Sequence, residues 1–139
     1  MKAIGRWVLA AGLALAGVGH FVALDSMLRL VPTWIPWPTA IVLVTGVMEI
    51  AFAVALVVAS DGALRRAIGL ALTVFLAAVF VGNVSQAVSG VDAFGLDTDA
   101  ERWGRLALQP LLIAWALWST DIWPQSSSRD RVPDRPPAL

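Results

Sequence analysis

The sequence has no cysteine and a single histidine, His20, and charged side chains make up only 14% of its 139 residues. The first absence excludes disulfides, thiolate catalysis and Cys-ligated metals. A lone imidazole excludes a multi-histidine zinc site, so no metal is expected. The ten basic and ten acidic residues cancel to a formal net charge of +0. That balance excludes a nucleic-acid binder that works by neutralising phosphates. What takes the place of charge is apolar: 58% of the chain is hydrophobic, with a mean hydropathy of +0.76. Soluble domains average about 45–50% apolar and about 25% charged. A chain of 14.8 kDa has too little interior to hide that surplus from water. Its solvent must be lipid.

Four apolar stretches stand out. Residues 7–24 carry no formal charge, residues 39–59 are broken only by Glu49, residues 67–91 are uncharged, and residues 106–120 lie uncharged between Arg105 and Asp121. A spanning helix needs about 20 apolar residues, and the first three stretches meet that length. The fourth reaches only about 22 Å at about 1.5 Å per residue. Snorkelling of Arg105 and extension through Ile122 and Trp123 would close most of the gap to a hydrocarbon core near 30 Å. The alternative is a core helix or a re-entrant segment. The expected fold is therefore an all-α, four-helix transmembrane bundle over residues 1–123, with helices at about 4–24, 39–59, 67–90 and 104–122.

The tryptophans favour the same layout. Trp7, Trp34, Trp37, Trp103, Trp115, Trp118 and Trp123 all fall near expected helix ends, at the headgroup level that indole prefers. Trp115 could equally pack inside. Orientation follows from the basic residues near the span ends. With the N-terminus inside, Lys2, Arg6, Arg65, Arg66, Arg129, Arg131 and Arg135 fall on the inner side, against Arg29, Arg102 and Arg105 outside. Both termini are expected to be cytoplasmic, in a multi-pass protein of the cell membrane.

Lys2 and Arg6 before an apolar run with Ala14 and Ala16 imitate a secretory signal peptide. The run continues to Leu24, which favours a retained span. Residues 25–38 hold Pro32, Pro36 and Pro38 among Trp34 and Trp37, which forbids one continuous helix. A short interfacial helix and an extended Pro/Trp-rich outer loop capping the bundle are expected there. Residues 124–139, with three consecutive serines and alternating Arg, Asp and Pro, read as a disordered cytoplasmic tail.

Glu49 is the sharpest single feature, because a carboxylate near a bilayer centre costs at least about 2.5–3.5 kcal/mol. It must face the interior, as a proton relay or ligand contact, or as a structural carboxyl that fixes helix packing. His20, four residues from the end of its stretch, is either an imidazole bonded to a backbone carbonyl or a proton-exchanging ligand group. Asn83 and Gln109 lie at similar depths, roughly 5–9 Å below the outer surface at about 1.5 Å per residue, and Arg105 is one turn above Gln109. One polar group from each helix thus falls in the outer half, forming either a closed network or a wet pocket open to the outer side. Gly5, Gly12, Ala16 and Gly19 suggest a smooth packing face on the first helix, and Gly46 allows close approach beside Glu49.

In order along the chain come Gly17-Val-Gly-His20-Phe21, Val31-Pro32-Thr-Trp34-Ile35-Pro36, Thr45-Gly46-Val-Met-Glu49-Ile50, Arg65-Arg66-Ala67, Phe80-Val-Gly-Asn83 and Arg105-Leu-Ala-Leu-Gln109 with Trp115. This series resembles the DoxX-like family of small four-span membrane proteins, over about residues 4–122. The resemblance implies an accessory or binding subunit in which His20, Glu49, Asn83, Arg105 and Gln109 form the polar centre. It also implies a membrane-associated oxidoreductase as partner and quinone as the candidate cofactor, although the composition itself calls for none. Homo-oligomerisation stays open. Because the chain has no cysteine, thiol redox chemistry would belong to the partner or to a bound quinone. A small transporter is the weakest reading, since four spans give little room for alternating access.

Overall fold

The computed structural model describes residues 1–92 and 98–123. The segment 93–97, and the tail 124–139 expected to be disordered, lie outside the described residues, as do Arg129, Arg131 and Arg135. The fold is all-α, with helices α1 (Lys2–Val22), α2 (Leu24–Leu28), α3 (Pro38–Val58), α4 (Gly62–Ser89) and α5 (Asp99–Ser119) and no strand among the described residues. Three of them, α1, α3 and α4, are long and apolar enough to cross a membrane. The helix α5 equals α1 and α3 in length, but its first two turns carry Asp99, Glu101, Arg102 and Arg105, so the expected fourth span lacks the apolar composition of the other three.

The boundaries differ from expectation where side chains cap helix ends. At the start of α4, Asp61 accepts a hydrogen bond from the Leu64 amide at 2.7 Å. This N-cap draws Arg65 and Arg66 into the helix instead of leaving them in a loop. At α5, Thr98 and Glu101 form a reciprocal capping box, which satisfies two otherwise orphaned amides and starts the helix at Asp99. Pro38 stands in the first turn of α3, where a missing amide hydrogen costs nothing. The preceding Trp37 takes a left-handed backbone with φ 54°.

The helices associate as two close pairs, α1 with α3 and α4 with α5. Looser contacts join α1 to α5 and α3 to α4. At the end bearing Lys2, the pairs are drawn together. A Cβ added to Gly5 would stand 2.6 Å from Trp118, and Trp115 donates its indole hydrogen to the Gly5 carbonyl at 3.1 Å. Trp115 is thus an internal anchor. Lys2 and Arg65 both bond Asp121, at 2.9 and 3.1 Å, tying α1, α4 and the end of α5 together. The core beside this end holds Leu9, Leu13, Leu56, Leu72 and Ala116.

Toward the opposite end, which bears α2, the pairs separate and a cavity opens. The segment after α2 folds across that end: Leu30 and Pro32 are buried, and the Leu30 carbonyl lies against Gly82 of α4. A proline-rich cap preceded by the short helix α2 is present, but it is folded into turns and not extended: the amides of Leu30, Val31 and Ile35 donate back to the carbonyls of Met27, Leu28 and Pro32. Trp7, Trp34, Trp37, Trp103 and Trp123 are each more than half exposed.

Candidate functional site

The close crossing of α1 on α3 creates the site. A Cβ on Gly17 would stand 2.8 Å from the Gly46 carbonyl, and one on Gly46 would stand 3.1 Å from the Gly17 carbonyl. Two glycines facing each other let the backbones approach as no larger residue would. This contact seats His20, one turn beyond Gly17, directly over α3. The smooth face expected at Gly12 and Ala16 does something different. Nothing lies within 4 Å of a Cβ at Gly12, and both residues line the cavity. Their small size enlarges a space; it does not close a seam.

The imidazole is held on one side by backbone. His20 Nδ1 lies 2.8 Å from the Val42 carbonyl. A carbonyl can only accept, so Nδ1 carries the hydrogen and donates it. Thr45 Oγ1 lies 3.1 Å from the same nitrogen and donates its own hydrogen to the carbonyls of Ile41 and Val42. It is therefore an acceptor toward the ring. The other ring nitrogen, Nε2, lies 3.4 Å from Glu49 Oε2.

That arrangement has a consequence for protons. With Nδ1 protonated, neutral His20 presents a lone pair at Nε2 to the carboxyl oxygen. Two lone pairs face each other unless a proton stands between them. A proton between them would join the two groups, as imidazolium and carboxylate or as imidazole and carboxylic acid. Glu49 is 92% buried, the complement of its 8% exposure, and its Oε2 makes no hydrogen bond of ordinary geometry among the described residues.

The other helix pair contributes an amide relay. Gln109 Nε2 donates to the Leu76 carbonyl at 2.8 Å, which fixes the amide's orientation and leaves Oε1 to accept from Asn83 Nδ2 at 3.2 Å. Pro110, inside α5, has no amide hydrogen, so the helix loses one bond beside Gln109. Arg105 stands one turn away, and its charge acts on Glu49 across the cavity.

All five candidates, His20, Glu49, Asn83, Arg105 and Gln109, line one cavity of about 1140 Å³. They enter from α1, α3, α4 and α5. The rest of the wall is mostly apolar, including Phe52, Phe75 and Leu112. Because the segment after α2 covers the end of the cavity, exposed wall residues occur on the flanks instead. Met48, Ala71, Val74 and Ala78 mark the cleft between α3 and α4, while Val8, Gly12 and Leu108 mark that between α1 and α5. Access differs here from a pocket open at the outer surface.

Thr45 in the cavity wall and Arg102 outside it carried no assigned role in the sequence. Thr45 lies one turn before Glu49 on the same face of α3, and that four-residue spacing was its signal. Arg102 is buried and pairs with Asp92 at 2.9 Å and Asp99 at 3.5 Å. Its charge alone suggested only a boundary residue.

Residues 9–120 match a family described as a domain of unknown function (DUF8561). The chain belongs to this family. The matched stretch includes every polar residue of the cavity and excludes the Lys2–Asp121 tie. No curated protein and no solved structure matches the chain.

Proposed function

We propose that this chain is a multi-pass protein of the cell membrane, of DoxX-like type, that serves as an accessory or binding subunit through its polar cavity. On this reading α1, α3, α4 and α5 form a four-helix transmembrane bundle. The amphipathic α5 crosses with its charged first turns at the surface and its Gln109 face inward. Lys2, Arg6, Arg65 and Arg66 gather at one end, which supports a cytoplasmic position for that end and for both termini.

The observation that carries the reading is convergence. Five polar side chains from four separate helices meet on one largely apolar cavity. Burying such groups in lipid without a role is costly, and a few convergent polar groups in an apolar pocket are what ligand sites use. Mass spectrometry of complexes gently extracted from native membrane tests it. The expected result is a bound small molecule or partner that Glu49→Ala and His20→Ala release. Unchanged folding, partner binding and ligand content in both variants would sink the reading.

A second reading, a quinone-linked subunit of a membrane oxidoreductase, is favoured by the His20–Glu49 pair. Quinone reduction takes up protons, and an imidazole beside a carboxyl in the cavity wall is a pair able to supply one. Purified protein would then carry quinone and lose it on Glu49→Gln. Co-purification of a soluble oxidoreductase without bound quinone would favour the accessory role instead.

A further inference from the structure

The polar layer occupies only part of a cavity large enough for more than a head group. Drug-sized ligand pockets run to about 300–1,000 Å³, and this one is about 1140 Å³. Below Glu49 its wall is formed by Leu9, Leu13, Phe52, Phe75 and Leu112, with no further ionisable group among the lining residues. A ligand that fills the space must therefore be apolar over most of its length and polar at one end.

Its route is set by the weak side of the helix packing. Over the polar end lie Leu30, Val31, Pro32 and Ile35. Between α3 and α4 the wall residues Ala71 and Ala78 are small and exposed, and Met48 and Val74 beside them are exposed as well. A cleft edged by alanines on a membrane-facing flank admits an acyl chain from the side.

The hydrogen-bond inventory describes the head. Glu49 Oε2 is a buried acceptor without an ordinary hydrogen bond. Asn83 gives one amide hydrogen to Gln109, which leaves it a second hydrogen and its Oδ1 for a ligand. A carboxylate head would compete with Glu49 for the charge of Arg105, which lines the same cavity, and a quaternary ammonium head could donate to neither Glu49 nor Asn83. A hydroxyl both donates and accepts.

We propose that the cavity takes a neutral single-chain amphiphile with a hydroxyl-bearing head, loaded sideways from the bilayer through the α3–α4 cleft and held at Glu49 and Asn83. The proposal rests on the reading of the chain as a membrane binding protein and adds the class of ligand and its route.

The test uses the full chain in lipid nanodiscs with three photoreactive probes of identical chain. One bears a glycerol head, one a carboxylate and one a trimethylammonium group. The glycerol probe labels cavity peptides about tenfold more than the others, the ratio that corresponds to one buried hydrogen bond to a charged group. Glu49→Leu removes that preference while labelling by the chain persists. Ala71→Trp, and independently Ala78→Trp, block the cleft and cut labelling about tenfold. Leu70→Trp, on an exposed position outside the cavity wall, leaves it unchanged. Each variant is checked for helicity by circular dichroism.

Equal labelling by all three heads in the native chain overturns the head assignment. Full labelling in both cleft variants overturns the route. If the glycerol probe fails while native extracts still carry a bound molecule, this inference falls and the binding-subunit reading stands. If native extracts also carry no ligand and no partner, both fall.

Discussion

Gly46 and His20 meet so closely that a Cβ on the glycine would stand 2.6 Å from the Cβ of His20. The contact is between backbone-proximal atoms, which cannot rotate away. It fixes the height and tilt at which the imidazole faces Val42, Thr45 and Glu49. The packing of α1 on α3 and the geometry of the His20–Glu49 pair are thus one feature.

Gly46→Ala is therefore expected to destabilise the chain by about 1–3 kcal/mol through overpacking. It should also lengthen the Val42–His20 hydrogen bond. Thermal unfolding in detergent measures the first effect. Gly12→Ala, where an added methyl meets nothing within 4 Å, provides the contrast and should stay within about 0.5 kcal/mol of the native chain. Equal stability of the two variants would refute the crossing as the constraint.

A proton shared by His20 and Glu49 has a spectroscopic signature. In ¹⁵N spectra of the labelled chain, Nδ1 should be protonated both in the native protein and in Glu49→Gln, because the Val42 carbonyl accepts from it in either case. Nε2 should differ: sharing a proton in the native chain, and bare in Glu49→Gln, whose side-chain amide has no titratable proton to share with the ring. A bare Nδ1 in the native chain would contradict the arrangement.

Much of this site was legible because depth along a helix is arithmetic. His20, Asn83 and Gln109 could be placed at similar heights from residue counts alone. The helix that neighbours each one could not, because periodicity gives a face but no partner. That is why Gly12 and Ala16 read as a packing seam although Gly17 makes the contact, and why access was expected from the end and not the flank. The early starts of α4 and α5 were legible in principle. Asp61 before Leu64, and the Thr98–Glu101 spacing, are local capping signals that lie outside the uncharged runs.

At the opposite end, Asp121 makes stability depend on acid. Its hydrogen bond from Lys2, with the charges of Lys2 and Arg65, holds its carboxyl below the ordinary value of 3.8. A depressed folded value means that the carboxylate stabilises the fold above about 3.8 and that this contribution fades as pH falls through the lower folded value. Melting temperature followed from pH 5 downward should drop in the native chain and drop less in Asp121→Asn. Salt should shrink the difference, because the side chains are partly exposed. An identical acid profile in the two proteins would show that the tie contributes nothing.

Gly69 and Thr120 offer a test of the other close pair. A Cβ on Gly69 would meet Thr120 at its Cβ, 2.5 Å away, and at its hydroxyl, which is already bonded to the Ala116 carbonyl at 2.6 Å. Threonine cannot turn aside without breaking that bond, and its Cβ cannot turn aside at all. Gly69→Ala should cost about 1–3 kcal/mol. Thr120→Ala removes the hydroxyl and γ-methyl but keeps the Cβ, and should rescue only part of the loss. Thr120→Gly removes it and should recover most of the loss, after subtraction of its own single-variant cost in a double-mutant cycle. A coupling energy near zero would mean that α4 and α5 adjust apart freely. The register that joins Gln109 to the Leu76 carbonyl and to Asn83 would then need another source.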